Sequence, residues 1–364
     1  MKDDGMKILH ILNFVGRGGS ESYIKNLVNT NNHSITHELV YNIDGGGLSE
    51  FKAIGMKTTQ VSMRSSLDLM AAIKIKHYVK ANNVDLVHTH FMRENGIAFL
   101  SSILGMGVPV INTRHMVSVI NKNAAILNRL FFTRNHSIFA VSSIVRKKLI
   151  EEGVKPEKII TLPPPFPLIE CDEKIEKPEG EKWILSVGRL SEEKGPLFFI
   201  DALETLFHQV DNVKALIIGS GHLEGETRKK IKDYHLEERI VMLGYNSKPY
   251  NYLKSADLYV NHSREEAFGL SIVEAAHCKA PLLITENCGA SDYFNERNKS
   301  ALTYPFGDKR AFAKKASAIL KDTDLREKLV NNAYGIVTEE INQGEIISKI
   351  EKTYEGAIYG NKKA

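Results

Sequence analysis

Two positively charged side chains follow a short apolar run in the second half of the chain. The run Trp183–Val187 leads into Gly188-Arg189-Leu-Ser-Glu-Glu-Lys194-Gly195. Glycine allows the backbone to approach a ligand closely, arginine grips phosphate oxygens as a fork, and lysine acts as a point charge. The segment therefore favours binding of a diphosphate at the end of a strand. The alternative is a solvated turn in which Lys194 pairs with a neighbouring acid.

Two glutamates, Glu266 and Glu274, stand eight positions apart after a later apolar run, Leu258–Asn261. Glu266 precedes a turn that contains glycine, and Glu274 lies in the helix predicted behind that turn. Residues 271–276 are otherwise apolar, so a carboxylate there requires a partner or a ligand. Both carboxylates are therefore predicted to face a ligand, with an ordinary acidic surface helix as the alternative. The amides that can take up negative charge at the start of this helix are those of Phe268, Gly269 and Leu270.

A glycine-rich loop, Gly16-Arg-Gly18-Gly19-Ser-Glu21, follows the first apolar run of the chain. A dinucleotide-binding fingerprint would require glycine at position 21, where glutamate stands. The amides of such a loop and the start of the following helix can still hold an anion. The loop is therefore either part of a ligand site or a plain tight turn.

His88 and His90 raise the question of a metal site. Alternation along a strand puts both side chains on one face, but the sequence shows no third ligand nearby. The thirteen histidines of the chain follow no metal-binding motif. We therefore expect polar residues of the core or of a ligand site, with His90 near an acceptor because it lies closest to the strand end.

The composition is that of a globular protein and excludes several classes. Hydrophobic residues make up 43% and charged residues 25% of the 364 positions, and the net charge of +4 is too small for a nucleic-acid-binding protein. No run approaches the ~18 apolar residues of a membrane span, and the first run is too short for a secretion signal. We therefore expect a cytoplasmic protein. Its three cysteines form no CxxC pair, so neither a disulfide framework nor a zinc site is expected.

Short β-branched runs alternate with stretches of helical period along most of the chain, which is typical of parallel α/β sheets covered by helices on both faces. The strands predicted in the first half are Lys7–Leu12, His37–Ile43, Thr58–Met63, Asp85–His90, Pro109–His115, Ser137–Ser142 and Lys158–Leu162. Those predicted in the second half are Trp183–Val187, Val213–Ile218, Ile240–Leu243, Leu258–Asn261 and Pro281–Thr285. The remainder is predicted to be helical, over Asp308–Lys321, Asp324–Glu339 and Glu345–Tyr359.

The run of prolines in Pro163–Pro167 breaks this alternation, because each proline ring fixes φ and removes a hydrogen-bond donor. We predict two doubly wound domains, residues 1–165 and 183–343, joined by a linker over 166–182 and followed by a helix within 344–364. Ligands of such sheets bind beyond the carboxyl ends of the strands, so two facing domains would place the chemistry in a cleft between them.

Three motifs, taken in order, resemble those of the retaining GT-B glycosyltransferases: Gly18-Gly19-Ser-Glu21, the Gly188–Gly195 segment, and Glu266 with Glu274. This large family includes bacterial mannosyl-, glucosyl- and N-acetylglucosaminyltransferases of cell-envelope polysaccharides. The resemblance covers essentially the whole chain. It implies an α/β GT-B fold with two Rossmann-like domains, an acceptor side in the first, a nucleotide-sugar site in the second, and a last helix that returns to the first.

The resemblance also implies a role for each matching position. Arg189 and Lys194 would neutralise the leaving diphosphate, and His115 would reach the donor sugar near the reaction centre. Glu266 would hold hydroxyl groups of that sugar. The positions that would bind the donor are Gly18, Gly19, Gly188, Phe268, Gly269, Leu270 and, through the ribose, Glu274.

The implied reaction moves a sugar from a UDP- or GDP-sugar to a glycan or lipid-linked saccharide, with retention of anomeric configuration. The acceptor would attack from the face that the leaving group vacates, and a diphosphate oxygen would take its proton. The cationic side chains would do the work of a metal, so neither a metal nor a cofactor is expected. Cell-envelope polysaccharide or lipopolysaccharide synthesis is the implied setting. A nucleotide-sugar epimerase of the same fold and a non-catalytic nucleotide-sugar-binding subunit stay open as alternatives.

Three segments depart from the family pattern. Pro163–Pro167 replaces an Asn-Gly-Val-Asp near the domain junction, Cys288-Gly289-Ala-Ser-Asp292 replaces Gly-Gly-x-x-Glu, and Ala267 replaces a common glycine. The first change affects the hinge or an acceptor contact, and the second affects the sugar pocket. None of them removes a residue that the chemistry needs.

A basic amphipathic stretch, residues 119–135, ends in Phe131-Phe132. A helix packed on the first sheet is one interpretation. The other is an interfacial helix that brings the protein to a lipid-linked acceptor on an anionic membrane.

Overall fold

The computed structural model describes residues 5–29, 34–117, 122–166, 171, 173–246 and 248–360. The chain forms two compact domains. The first comprises Met1–Pro167 with Gln343–Ala364, and the second comprises Leu168–Asn342. Much of the predicted linker belongs to the second domain, because it is tied there by hydrogen bonds. The Ile175 amide donates to Ser255 Oγ at 2.7 Å, and Lys177 pairs with Asp257 at 2.6 Å.

The first domain is a parallel sheet of seven strands in the order β3-β2-β1-β4-β5-β6-β7. Its strands are β1 (Met6–Val15), β2 (Ile35–Asp44), β3 (Lys57–Gln60), β4 (Leu86–Thr89), β5 (Val110–Arg114), β6 (Asn135–Ala140) and β7 (Ile159–Thr161). Its connecting helices are α1 (Gly19–Asn29), α2 (Leu48–Ala53), α3 (Leu69–Ala81), α4 (Met92–Ile103), α5 (Lys122–Phe132) and α6 (Ser143–Glu151). Side chains of β1 and β4 such as Leu9 and Val87 are fully buried against α3 and α4, as a sheet covered by helices requires.

The second domain is a parallel sheet of six strands in the order β10-β9-β8-β11-β12-β13. Its strands are β8 (Lys182–Val187), β9 (Val213–Ile218), β10 (Ile240–Gly244), β11 (Leu258–Val260), β12 (Leu282–Thr285) and β13 (Leu302–Tyr304). Its helices are α7 (Pro196–Phe207), α8 (Glu224–Asp233), α9 (Tyr250–Ser255), α10 (Leu270–His277), α11 (Lys309–Lys321) and α12 (Thr323–Gly335). The prediction that everything after Thr285 is helical is wrong for β13. Its three residues are too few to show a period, and pairing with β12 defines the strand.

The last helix, α13 (Gln343–Gly360), packs on β4 and β6 of the first domain. Its buried Tyr354 places the hydroxyl group 2.7 Å from His88 Nδ1. Among the described residues, no helix combines the length and the apolar composition that crossing a membrane requires.

The cysteines correct one expectation from the sequence. Cys171 and Cys278 form a disulfide within the second domain, with their Cα atoms 5.8 Å apart. Cys278 follows the last turn of α10, and the Lys254 side chain donates to the Cys171 carbonyl group beside it. The two cysteines are 107 positions apart, so only the folded chain brings them together. Cys288 is buried with a free thiol.

The aromatic end of the 119–135 stretch supports the interpretation of a packed helix. Phe131 and Phe132 are buried, and the Phe131 ring packs 5.5 Å from the ring of Phe99 on α4. They therefore cannot serve as membrane anchors in this structure. The exposed apolar side chains of α5 are instead Ile126 and Leu130. Residues 119–121 lie outside the described residues.

Candidate active site

A pocket of the second domain lies at the carboxyl ends of β8 and β11, where ligands of parallel sheets bind. The two loops that form it come from distant parts of the sequence, and parallel pairing of β8 with β11 brings them together. Its polar lining includes Ser186, Arg189, Lys194, Asn261, Ser263 and Glu266.

Lys194 and Glu266, which the sequence analysis singled out separately, form an ion pair in this pocket. The pair is largely enclosed, since the two side chains are only 23% and 11% exposed. Because the lysine is enclosed, water screens its positive charge incompletely. An anionic ligand that enters the pocket would therefore be attracted to it strongly. The alternative of a solvated turn is therefore wrong for Lys194, which pairs with a distant acid rather than with a neighbour.

A chain of hydrogen bonds holds Glu266 in place. Ser263 Oγ donates to Glu266 Oε2 at 3.2 Å, and Asn261 Nδ2 donates to Ser263 Oγ at 3.2 Å. Thr285 Oγ1 donates in turn to Asn261 Oδ1 at 3.1 Å. Each buried polar group thus has a partner, which orients the carboxylate before any ligand arrives.

His262 holds the backbone of the lysine loop. Its Nδ1 lies 2.6 Å from the Lys194 carbonyl oxygen, and its Nε2 lies 2.8 Å from Ser186 Oγ. Because a carbonyl group only accepts, Nδ1 carries the proton and Nε2 accepts from the serine. Burial lowers the pKa of His262 to about 4, so the ring is neutral and suited to this pairing. No motif in the sequence pointed to His262. Its position two residues after β11 was the available signal, because residues just beyond a strand end lie near the other strand-end loops.

Arg189 differs from Lys194 in its surroundings. Its side chain is 72% exposed and pairs with Glu193 at 3.1 Å, while Ser191 Oγ donates to the same carboxylate at 2.6 Å. An exposed ion pair of this kind is worth little, so the guanidinium group can leave it for a phosphate at small cost.

The start of α10 depends on Gly269. This residue has φ of 100°, and a Cβ atom there would lie 2.7 Å from Ile272 Cδ1 and 3.2 Å from Glu266 Cγ. The left-handed backbone favours glycine there, and a methyl group would also crowd the Ile272 and Glu266 side chains. The preceding loop is held by the segment that departs from the family pattern. The Ala290 amide donates to the Phe268 carbonyl at 2.8 Å, and the Gly289 amide to the Glu266 carbonyl at 2.9 Å.

Glu274 lies on α10 in half-buried surroundings, where burial raises its pKa to about 7. Among the residues that the structure describes, no side chain hydrogen-bonds its carboxyl group. Its charge acts on the phenols of Tyr250 and Tyr259, whose pKa values it helps to raise and which add no positive charge. A carboxyl group with raised pKa and unused hydrogen-bonding capacity is suited to bind hydroxyl groups of a ligand.

The glycine-rich loop of the first domain is occupied by its own glutamate. The Gly16 and Gly18 amides donate to the two oxygens of the Glu21 carboxylate at 2.7 and 3.2 Å, and Ser20 Oγ donates to it at 2.7 Å. Two amides that the sequence suggested for an anionic ligand are therefore taken by a buried side chain. Gly19 begins α1, and a Cβ atom built on it would meet no atom within 4 Å. The open face of the loop is thus at Gly19.

His90 and His88 have more histidine neighbours than the sequence indicated. His10 on β1 brings a third ring, and one nitrogen of each of the three lies within 4.8 Å of the others. Register explains this, since His10 pairs with His88 on adjacent strands. Every ring nitrogen of the three already has a hydrogen-bond partner. His90 is fully buried between His10 and His115, so this structure gives it no surface at which to touch an acceptor.

Glu94 is a further buried acid that the sequence analysis did not identify. It lies in the first turn of α4, and its Oε1 accepts from the Asn13 amide at the end of the first domain's β1. Burial raises its pKa to about 7. Its Oε2 has no hydrogen-bond partner among the described residues.

Known proteins match both halves of the chain. Residues 17–168 match the family described as Glycosyltransferase Family 4, and residues 169–335 match Glycosyl transferases group 1. N-acetyl-alpha-D-glucosaminyl L-malate synthase of Bacillus anthracis is 25% identical over 81% of each chain. The capsular polysaccharide biosynthesis glycosyltransferase CapH of Staphylococcus aureus is 23% identical over 80% of this chain and 85% of its own.

The fold matches as well. HepE of Anabaena, solved in complex with UDP-glucose, superposes with a TM-score of 0.85 over 96% of this chain and all of its own, at 18% identity. The two parallel α/β domains, the pocket at the strand ends of the second, and the two matching family models define one class. The chain belongs to the GT-B glycosyltransferases. This confirms the predicted fold class and the expectation of a GT-B glycosyltransferase.

Proposed function

We propose that the protein is a retaining glycosyltransferase that moves a sugar from a UDP- or GDP-sugar to a glycan or lipid-linked saccharide in cell-envelope polysaccharide or lipopolysaccharide synthesis. The observation that carries the proposal is the pocket of the second domain. It places the enclosed Lys194–Glu266 pair and the exposed Arg189 around one strand-end site. One relative supports the acceptor class, since it is named for capsular polysaccharide biosynthesis.

The cations act on the leaving group. As the bond between the anomeric carbon and the phosphate oxygen breaks, negative charge grows on the departing diphosphate. Arg189 leaves its weak pair with Glu193, and Lys194 is shared between Glu266 and the phosphate. Preorganised donors of this kind contribute ~3–4 kcal/mol each to stabilising a transition state.

The glutamates bind the neutral parts of the donor. Glu266, held by Ser263, accepts from hydroxyl groups of the sugar, and Glu274 binds the ribose. The start of α10, from Phe268 to Leu270, faces the same groups. His115 contacts the donor sugar from the first domain, and Gly19 leaves room for the donor there.

The acceptor oxygen forms its bond to the anomeric carbon on the face that the diphosphate leaves, and a diphosphate oxygen takes the acceptor's proton. This sequence of bond changes conserves the anomeric configuration and requires no covalent intermediate on the protein. The two cations neutralise the diphosphate, which is the work that a divalent metal would otherwise do. We therefore propose turnover without a metal.

A screen of nucleotide sugars by thermal shift, followed by turnover with the ligand that binds, tests the proposal. A donor at 100 times its dissociation constant should stabilise the protein by ~2.7 kcal/mol. NMR of the first-formed product from an α-linked donor should show an α linkage, and the rate should persist in excess EDTA. A β-linked product would contradict retention, and a rate abolished by EDTA and restored by magnesium would contradict metal independence. A product formed without any acceptor would indicate an epimerase, and binding without turnover would indicate a non-catalytic subunit.

A further inference from the structure

Four histidine rings of the first domain form a single file of hydrogen bonds across its sheet. His37 Nδ1 lies 2.9 Å from His10 Nε2, and His10 Nδ1 lies 3.0 Å from His90 Nε2. His90 Nδ1 lies 3.0 Å from His115 Nε2. The file thus runs from β2 through β1 to the ends of β4 and β5, which are successive neighbours in the sheet. It ends at the histidine to which the proposed function gives contact with the donor sugar.

Each contact joins Nδ1 of one ring to Nε2 of the next, which gives the file a direction. A neutral imidazole has one nitrogen that donates and one that accepts. All four rings must therefore carry the proton on Nδ1, or all four must carry it on Nε2. Any mixture would set two donors or two acceptors against each other at one contact, which is costly inside a protein.

The surroundings keep the file neutral. Burial lowers the pKa of His37 to about 4 and that of His115 to about 3, and it holds the pKa of His10 and of His90 well below the ordinary value. Among the described residues, His88 and Tyr23 pack against these rings, and Tyr354 packs against His88; burial favours the neutral form of each of the three. His88 stacks on His90 at 4.5 Å but stands outside the file, because its nitrogens bond Tyr354 and Thr113.

A metal ion is a weaker interpretation of this cluster. An ion bound by His10, His88 and His90 would have to take nitrogens that already bond one another, Tyr354 or Thr113. Loss of those bonds would leave buried partners without a match. The directional hydrogen bonds therefore account for the arrangement better.

We propose that His37, His10 and His90 are positioning residues that set the tautomer of His115, so that its outer nitrogen, Nδ1, donates or accepts according to the state of the whole file. The inference rests on the proposed function, which places His115 at the donor sugar. A switch between the two states needs three transfers between rings. A proton gained at His115 Nδ1 is matched by one lost from His37 Nε2, so the file gains no net charge. His10, two rings away, thereby acts on the reaction through His90.

The test uses the full chain labelled with ¹⁵N in its histidines, and the variants His10→Leu and Tyr354→Phe. His10→Leu fills the volume of the ring but breaks the file, whereas Tyr354→Phe removes a buried hydrogen bond beside it. In the wild type, imidazole ¹⁵N spectra should show one shared tautomer for the four rings. His10→Leu should turn His115 into a mixture of tautomers and lower kcat at least ~10-fold with little change in the donor KM, because a wrongly protonated histidine impairs the chemical step. Tyr354→Phe should leave the His115 tautomer and kcat near those of the wild type.

His10→Asn supplies the rescue, since its amide keeps one donor and one acceptor and should restore part of kcat. The proposal is overturned if His10→Leu folds and leaves the His115 tautomer or kcat unchanged, or if Tyr354→Phe lowers kcat equally. It is also overturned if zinc binds stoichiometrically and shifts the signals of His10, His88 and His90 together. If the wild type transfers no sugar, the proposed function fails. The spectra still decide whether His10 controls His115, because they need no turnover.

Discussion

At the scale of single residues, two cations of one loop lie in contrasting surroundings. Lys194 is enclosed and paired with Glu266, whereas Arg189 is exposed and paired with Glu193. Under the proposed function, the first is held in advance, and the second can move onto the charge that develops during the reaction. Glu274 differs from both, because burial raises its pKa to about 7.

The first prediction separates chemistry from binding. Arg189→Ala should lower kcat/KM by at least ~100-fold with much of the loss in kcat, because the charge it meets grows as the bond breaks. Glu274→Gln should act mainly on KM, by ~1–3 kcal/mol, because the ribose does not react. Steady-state kinetics measures both. Glu193→Gln is the control, since it removes the partner of Arg189 and should change kcat little. A normal kcat for Arg189→Ala, or unchanged nucleotide affinity for Glu274→Gln, would show that the roles are wrongly assigned.

The second prediction concerns Gly269, where backbone and space both favour glycine. Gly269→Ala should destabilise the protein by ~1–3 kcal/mol and weaken donor binding, because the new methyl group presses on Ile272 and on Glu266. Gly307→Ala is a matched control. Its φ of 93° is similar, but a Cβ there meets no atom within 4 Å, so only the backbone cost of ~1 kcal/mol applies. Thermal unfolding and donor titration measure the two effects. Equal losses in both variants would contradict a role for the space beside Glu266.

At the scale of elements, loops at strand ends supply the site and helices support it. The loop after β8 and the loop after β11 carry the cations and Glu266, while α10 presents Glu274. The disulfide joins the end of α10 to Cys171, so the helix that carries Glu274 is covalently fixed at its C-terminal end. Helix α5 is different, because its aromatic end is core and its outer face is apolar and exposed.

The third prediction tests whether that outer face contacts a membrane. The side chains of Ile126 and Leu130 are 69% and 48% exposed, and the exposed Arg129 lies between them. Ile126→Ser with Leu130→Ser should reduce sedimentation with anionic vesicles and leave activity on a soluble acceptor unchanged. Ile103→Ser, which removes an exposed isoleucine from α4, is the control and should sediment as the wild type does. Equal sedimentation of all three proteins would exclude α5 as the contact.

At the scale of the whole molecule, the two domains respond differently to acid. A histidine with a lowered pKa binds protons only after unfolding, so the folded state loses stability as pH falls below about 6.5. Glu94 and Glu274 act in the opposite direction, because each holds its proton in the folded state up to a pH of about 7. Among its described residues, the second domain has one histidine with a lowered pKa, His262, and its effect on stability is opposed by that of Glu274. Among the described residues, the first domain has six such histidines opposed by Glu94, namely His10, His37, His88, His90, His115 and the half-buried His136.

The fourth prediction is that the first domain unfolds before the second on acidification. Each buried histidine withdraws up to ~1.4 kcal/mol of stability per unit of pH below 6.5, and the loss continues down to a pH of about 4 for His37. The single tryptophan, Trp183, lies on β8 of the second domain and reports on that domain alone. Between pH 8 and pH 5, thermal loss of circular dichroism should begin progressively earlier than the tryptophan fluorescence change. Coincident transitions at every pH would contradict the prediction.

The order of strands and helices could be predicted from the sequence, because hydrophobic period and proline position act locally along the chain. The strand predicted at Val213–Ile218 has those bounds in the structure, and only the short β13 lacked a period to reveal it. The family could also be recognised, since its motifs are short segments in a fixed order. The individual cations and carboxylates of the second domain were identified in the same way.

The tertiary structure decided which of these residues meet. No spacing in the sequence connects Lys194 with Glu266, Cys171 with Cys278, or His37 with His10, because each pair is joined through sheet pairing or packing across many residues. The same holds for burial, which made Phe131 and Phe132 core residues and left Ile126 exposed. Local patterns determine what an element is, whereas contacts distant in sequence determine which side chains share a pocket and which protonation state they hold. The sequence by itself therefore determined the fold class and the family, and only the folded chain determined its residue pairs, its disulfide and its file of histidines.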